Sequence, residues 1–316
     1  MTDTQPPHRT ETVIDSYGTG HVHTRILLRP DGRYDWVRTP GAARTQPFGV
    51  PSTTLVETLA ATTADRPDTA LCVVPRTHGG ALRYATSGHR SIAWTLLREG
   101  PAAHATVRNL LRAQGAALSR MHAAPVPAGL PTLVPSPLRR LLAWLEGTVD
   151  GPADRLHTLV RRVIGPARWH RLRSWADRLT EASPGVPLHG GPSLGLLVPA
   201  PHHDSVALLT GEDAGLGPWQ WDAGWVLGEL AEFRDVSGRS HPTGDGSVWD
   251  GLETAFLDGL QRAPDETTRG TAVLRRALHL HDYCAFVRWN EQEVRACIAD
   301  LIRLIDSRQR QETTPR

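Results

Sequence analysis

Short runs of β-branched and aromatic residues open the chain, and helical periodicity follows them. Between residues 13 and 38 the text VIDSYGTGHVHTRILLRPDGRYDWVR is interrupted by Gly18-Thr19-Gly20 and by Asp31-Gly32. Such pairs supply the positive φ that tight hairpin turns require, so two or three antiparallel strands are expected here. Good helix formers around Glu57 predict a helix over 55–64. Further extended segments are expected over 70–75, 81–86 and 91–97. A small sheet with one helix accounts for residues 13–97.

From residue 101 the period changes to that of a helix. Val107, Leu110, Leu111, Leu118 and Met121 fall on one stripe, and Ala113, Ala116 and Ala117 permit a close helix contact beside Gly115. Pro125, Pro127, Pro131, Pro135 and Pro137 then break the chain into a turn-rich connector. Helices are expected over 137–145, 152–164, 166–179, 219–233, 251–260, 270–285 and 291–305. In the last of these, Val294, Cys297, Ile298, Leu301 and Ile305 recur at helical spacing. One stretch interrupts this helical half. The segment near 188–213 is rich in Gly and Pro with two short apolar runs, 196–198 and 206–209, and reads as a paired hairpin. Loops set into a rigid scaffold are where sites concentrate. The expected architecture is therefore α+β, with a small antiparallel-sheet lobe (13–97) and a larger, mostly helical lobe (98–308). Polar tails are expected at 1–12 and 309–316.

Composition narrows the class. The chain has 316 residues, 40% of them apolar and 22% charged, which is material for two modest cores and too apolar for disorder. A formal net charge of +2 gives no reason to expect nucleic acid as a partner. Cys72, Cys284 and Cys297 are odd in number and widely spaced, which fits a reducing compartment and argues against a disulfide scaffold. No apolar run approaches a membrane span, and the first twelve residues carry no leader pattern, so a cytoplasmic protein without membrane contact is expected.

Candidate chemistry lies at a few places. Gly18, Thr19 and Gly20 form a turn that would let backbone approach a phosphate, with Arg38 reaching the same cleft and pairing with Glu57 on the helix behind; the plain alternative is a hairpin turn and a surface arginine. His189, His202 and His203, with Asp204 nearby, match no zinc spacing. Ser193 sits in a Gly-x-Ser-x-Gly frame but lacks the strand-to-helix turn of a nucleophile elbow. Glu212, Asp213, Asp222 and Glu229 form an acidic set able to hold a cation or do acid-base work, against the plainer roles of capping a helix and tying a loop. Trp219, Trp221, Trp225 and Phe233 are expected in the core.

The stretch LHGGPSLGLLVP followed by ALLTGEDAGLGPWQWDAGWVLGEL resembles the catalytic region of the aminoglycoside phosphotransferase and choline kinase-like superfamily, whose usual text is His-Gly-Asp, an Asn five residues later, then Ile-Asp-Trp-Glu and Asp-Leu-Ala. The segment LRAQGAALSRMHAAPVP looks like the helix that precedes it. The resemblance implies a two-lobed, protein-kinase-like fold with the N-terminal sheet as the nucleotide-clasping lobe. It also implies that three functional positions are altered. The Asp that orients the substrate hydroxyl falls on Gly191, the metal-binding Asn on Leu196 and the metal-binding Asp on Thr210. None supplies the oxygen ligands or charge that magnesium demands. His189 and Asp222 match supporting positions, and Glu212 is the one acidic residue left as a residual ligand. By this resemblance the chain is expected to be an inactive pseudo-phosphotransferase serving as a binding or scaffold subunit for a peptide or protein partner. The arginine-over-lysine and Ala/Gly/Pro-rich style is similar to high-GC actinobacterial proteins, where divergent relatives accompany peptide natural-product pathways. The alternative is a divergent kinase acting on a peptide Ser/Thr or a small-molecule hydroxyl. ATP and magnesium are cofactors only under that alternative.

Overall fold

The computed structural model describes residues 11–44, 47–49, 52–64, 66, 68, 70–99, 103–128, 134–181, 185–202, 205–240 and 246–313. Strands β1 (Thr12–Gly18), β2 (Val22–Leu28) and β3 (Tyr34–Pro40) form the expected meander. With β5 (Arg76–His78) and β6 (Ala81–Thr86) they complete a five-stranded antiparallel sheet in the order β1-β2-β3-β6-β5. Asp31-Gly32 makes the β2–β3 turn, with Gly32 at φ 79°. The helical lobe follows, and the two lobes make an α+β fold.

Three elements depart from the sequence reading. Strand β4 (Leu71–Val73) does not join the N-terminal sheet; it pairs in parallel with β9 (Val206–Leu209) of the other lobe. Helix α1 (Thr53–Thr63) goes with it and buries Leu55 and Leu59 in the core of the helical lobe. Residues 91–97, expected to be extended, are instead helix α2 (Ile92–Arg98). The Ser91 hydroxyl caps it by accepting the Trp94 N–H at 3.2 Å, and such a cap outweighs the weak helix propensity of Ile92, Trp94 and Thr95.

The helical expectations hold. Helix α3 (His104–Ala123) buries the predicted stripe, and Gly115 is explained by α7 (Ser247–Leu260): a Cβ at Gly115 would stand 2.2 Å from the Phe256 carbonyl oxygen, and one at Gly259 would stand 2.0 Å from that of Arg112. Leu118, fully buried here, should cost about 3 kcal/mol when replaced by Ala, through lost burial and the cavity left behind. Urea denaturation reads this directly, and a change under about 0.5 kcal/mol would mean the site collapses without a cavity. Helices α4 (Ser136–Glu146) and α5 (Pro152–Glu181) follow, the latter broken at Gly165 before Pro166 as the sequence suggests. Strands β7 (Val186–Leu188) and β10 (Gly215–Gly217) pair with each other. Strand β8 (Leu197–Pro199) pairs antiparallel with β9, which makes the predicted hairpin. Helices α6 (Gln220–Ser240), α8 (Glu266–Phe286) and α9 (Glu291–Thr313) complete the chain. Residues 309–313, read as tail, thus continue α9. Among the described residues no helix is long and apolar enough to cross a membrane.

Candidate functional site: the cleft between the lobes

A cavity of about 620 Å³ lies between the sheet and the helical lobe. Gly18, Thr19, His21 and Arg38 come from the sheet, Trp94 from α2 and Arg140 from α4; the floor carries Gly191, Ser193, Leu196, Glu212, Asp213 and Trp225. The structure therefore brings Gly18, Thr19, Arg38 and Glu212 together in one cleft, while Gly20 and Glu57 are not among its lining residues.

Its scaffold is Asp222, fully buried in the first turn of α6. One carboxylate oxygen accepts the His189 N–H at 2.9 Å and the His122 Nε2–H at 3.0 Å; the other accepts the Gly190 N–H at 2.9 Å. His189 in turn donates from Nε2 to the Leu209 carbonyl at 3.0 Å, tying the 189–191 loop to β9. Burial holds the His189 imidazole below its usual range, so it is a neutral, structural ring. Asp222 and His189 together thus tie the 189–191 loop to α6 and β9.

The altered positions are equally defined. Thr210 is fully buried, and its hydroxyl donates to the Leu208 carbonyl at 3.0 Å. Leu196 packs against an apolar cluster that contains Trp36, Val198 and Leu209. The magnesium ion that the resemblance implies does not fit here: one position presents hydrocarbon and the other a hydroxyl already engaged with the backbone. Ser193 donates to Glu229 at 2.8 Å and accepts the Gly195 N–H at 3.1 Å, so its oxygen closes a turn. His202 lies at a turn, while His203 and Asp204 fall outside the described residues.

Glu212 does not cap a helix. It lies in the loop after β9 with only 6% of its side chain exposed; it pairs electrostatically with Arg38 at 2.9 Å and accepts a hydrogen bond from Arg44 at 2.7 Å. Arg38 is thus not the partner of Glu57, which faces solvent on α1; the partner stands on the opposite lobe, 174 positions away, a pairing that no local pattern reveals. Gly20 also differs from its expected role. Its N–H donates to the Phe286 carbonyl at 2.6 Å, and a Cβ there would lie 2.8 Å from that oxygen. His21 stacks on the Phe286 ring, so the turn is latched to the end of α8.

Asp213 was legible only as an acidic neighbour of Glu212. Its carboxylate lies where Gly191 has no side chain: a Cβ built on Gly191 would be 3.6 Å from Asp213 Oδ2 and 3.8 Å from the Trp225 ring. Burial, and then the charge of Glu212, push its pKa up to about 7 against the pull of Arg140, Arg38 and Arg44. The neighbouring Asp282 shows the opposite balance. Burial favours its protonated form, yet Arg140 at 2.9 Å and His281 at 2.8 Å hold it well below the carboxylate range. Because the Asp213 pKa is raised on folding, the native state binds more protons than the unfolded chain between about pH 4 and 7, and stability falls as pH rises through that window. Asp213→Asn should flatten this slope and be the more stable protein at pH 8. Urea titrations at several pH values check it, and parallel curves for the two proteins would show that Asp213 ionises like an ordinary carboxylate.

No protein-family model and no curated protein matches the chain. Solved structures do. The choline kinase LicA from Streptococcus pneumoniae is similar at 9% identity and a TM-score of 0.54, over 93% of this chain and 95% of that one. LicA in complex with AMP matches at 9% identity and a TM-score of 0.53, over 95% and 94% of the two chains. A glucosamine kinase in complex with glucosamine, ADP and inorganic phosphate matches at 17% identity and 0.53, over 92% and 80%. At such low identity these likenesses establish architecture alone, and the chain has the two-lobed, kinase-like fold that it shares with these choline and glucosamine kinases.

Proposed function

We propose that this chain is a pseudo-phosphotransferase, a binding subunit that uses the interlobe cleft to hold a peptide or protein segment and transfers no phosphoryl group. The observation that carries this is the Arg38–Glu212–Arg44 cluster. Glu212 is neutralised by two guanidiniums, so the protein's own cations stand where a divalent ion would need an open carboxylate. Phosphoryl transfer depends on charge neutralisation and positioning, and Leu196 and Thr210 provide neither. The relatives named with AMP and ADP keep the fold in common with this chain; the proposed difference is in the cleft. Exposed Tyr17 and Leu97 at the cleft mouth suit contact with an extended partner.

One observation favours the second reading, a divergent ATP-dependent kinase acting on a hydroxyl. Asp213 brings a carboxyl group of pKa about 7 to the space left by Gly191, where a hydroxyl nucleophile would need a proton acceptor. Incubation with labelled ATP, magnesium and a panel of aminoglycosides, choline-like alcohols and Ser/Thr-rich peptides separates the two. Stoichiometric peptide binding without label transfer is the expected result. Multiple turnover that disappears in Asp213→Asn would establish the kinase instead.

A further inference from the structure

Trp36 lines the cleft and is buried in it. The residue lies in the middle of β3, paired with Ile26 on β2 and Tyr84 on β6, and is 1% exposed. Its ring packs in one cluster with Ile26, Leu82 and Tyr84 of the sheet and with Val198 and Leu209 of the hairpin in the other lobe. The indole therefore bridges the lobes. The connection 87–91 between β6 and α2 lines the same cleft through His89, Arg90 and Ser91. The Trp36 ring N–H donates to the Gly88 carbonyl there at 3.1 Å, and the Thr86 hydroxyl donates to the same oxygen at 2.7 Å. This connection is pressed against β8, since a Cβ on Gly88 would meet the Pro199 carbonyl oxygen at 1.9 Å.

These features are those of a ligand slot: an interface between two lobes, apolar walls above and below, and one backbone acceptor. Adenine and indole are both flat fused bicycles that present an N–H to such an acceptor. We propose that Trp36 is a built-in occupant of this slot, so that the open cavity in front of it takes ligands lacking a flat heteroaromatic ring. Leu196 agrees with this, because it packs on the same cluster, where an asparagine would bring an amide among hydrocarbon. The proposal rests on reading the cleft as a ligand site and adds to it the class of ligand that is turned away.

Chemical complementation tests it. Adenosine and indole are titrated into the unaltered chain and into Trp36→Gly, Trp36→Leu and Trp36→Phe, with calorimetry and thermal unfolding as readouts. The unaltered protein and Trp36→Phe, which keeps a ring in place, should show no saturable binding of adenosine at concentrations up to about 1 mM. Trp36→Gly should bind both probes, with at least about tenfold higher affinity for adenosine than the unaltered chain and a melting temperature that rises with either probe. Should Trp36→Gly fail to fold, Trp36→Leu retains part of the apolar volume and gives the same comparison. Saturable adenosine binding by the unaltered protein overturns the proposal whatever the variants do. So does a folded Trp36→Gly or Trp36→Leu that takes up indole but not adenosine, since the space would then be ordinary core. A cleft that binds no peptide would defeat the proposed function while leaving these adenosine results unchanged.

Discussion

Glu212→Gln should lower the unfolding free energy by about 3–5 kcal/mol, the usual cost of removing one member of a buried ion pair and leaving the other uncompensated. The substitution keeps the shape and removes the charge. What remains are two guanidiniums, with 14% and 9% of their side chains exposed, that have lost the carboxylate at 2.9 and 2.7 Å. Because Arg38 belongs to β3 and Glu212 to the loop after β9, the loss falls on the contact between lobes. A solvated surface pair would contribute only about 0–1 kcal/mol, so the magnitude decides whether this cluster is a lock or an ornament of the rim. Urea denaturation gives the number. Further replacement of Arg38 by Met should return part of the loss by removing one of the two charges that faced Glu212, and a Glu212→Gln effect below about 1 kcal/mol would mean that water or other partners compensate both arginines.

Asp222→Ala should be comparably severe, at about 3–5 kcal/mol. Three donors converge on this one buried carboxylate, two of them backbone N–H groups in the loop that carries Gly191. Alanine leaves all three without an acceptor and opens a void beside Trp221, whose indole N–H holds the Gly190 carbonyl at 2.7 Å. Asp222→Asn tests the chemistry separately from the volume. An amide retains one acceptor but turns an NH2 group toward donors, so it should still cost about 1–3 kcal/mol. Near-native stability of Asp222→Asn would show that the 189–191 loop holds its shape by packing alone.

The readable parts of this chain were those set by local repetition. The stripe on α3, the break at Gly165-Pro166 and the hairpin of β8 and β9 all follow from spacing and turn residues. The parts that escaped depend on contacts between distant residues. Strand β4 is three residues long, and its partner lies 136 positions downstream (Leu71 with Ala207), so its lobe is decided by tertiary pairing. Arg38 has acidic residues available on both lobes, and only the fold brings Glu212 within reach while turning Glu57 to solvent. The position of Asp213 against Gly191 depends on the close packing of its loop on Gly190, where a Cβ would stand 1.7 Å from the Asp213 carbonyl oxygen. One signal was available and missed. A tryptophan sits two residues before the arginine of β3, a bulky ring in the strand that faces the cleft.

Calorimetric titration of the unaltered protein with ATP, with and without magnesium, tests the central claim most directly. A cleft whose metal positions are Leu196 and Thr210, and whose Glu212 carboxylate is held by Arg38 and Arg44, should bind ATP no more tightly than about 1 mM and equally with or without the ion. Tight binding that appears only with magnesium would contradict it, because Glu212 would then have left the cluster, or Asp213 turned from Gly191, to hold the metal.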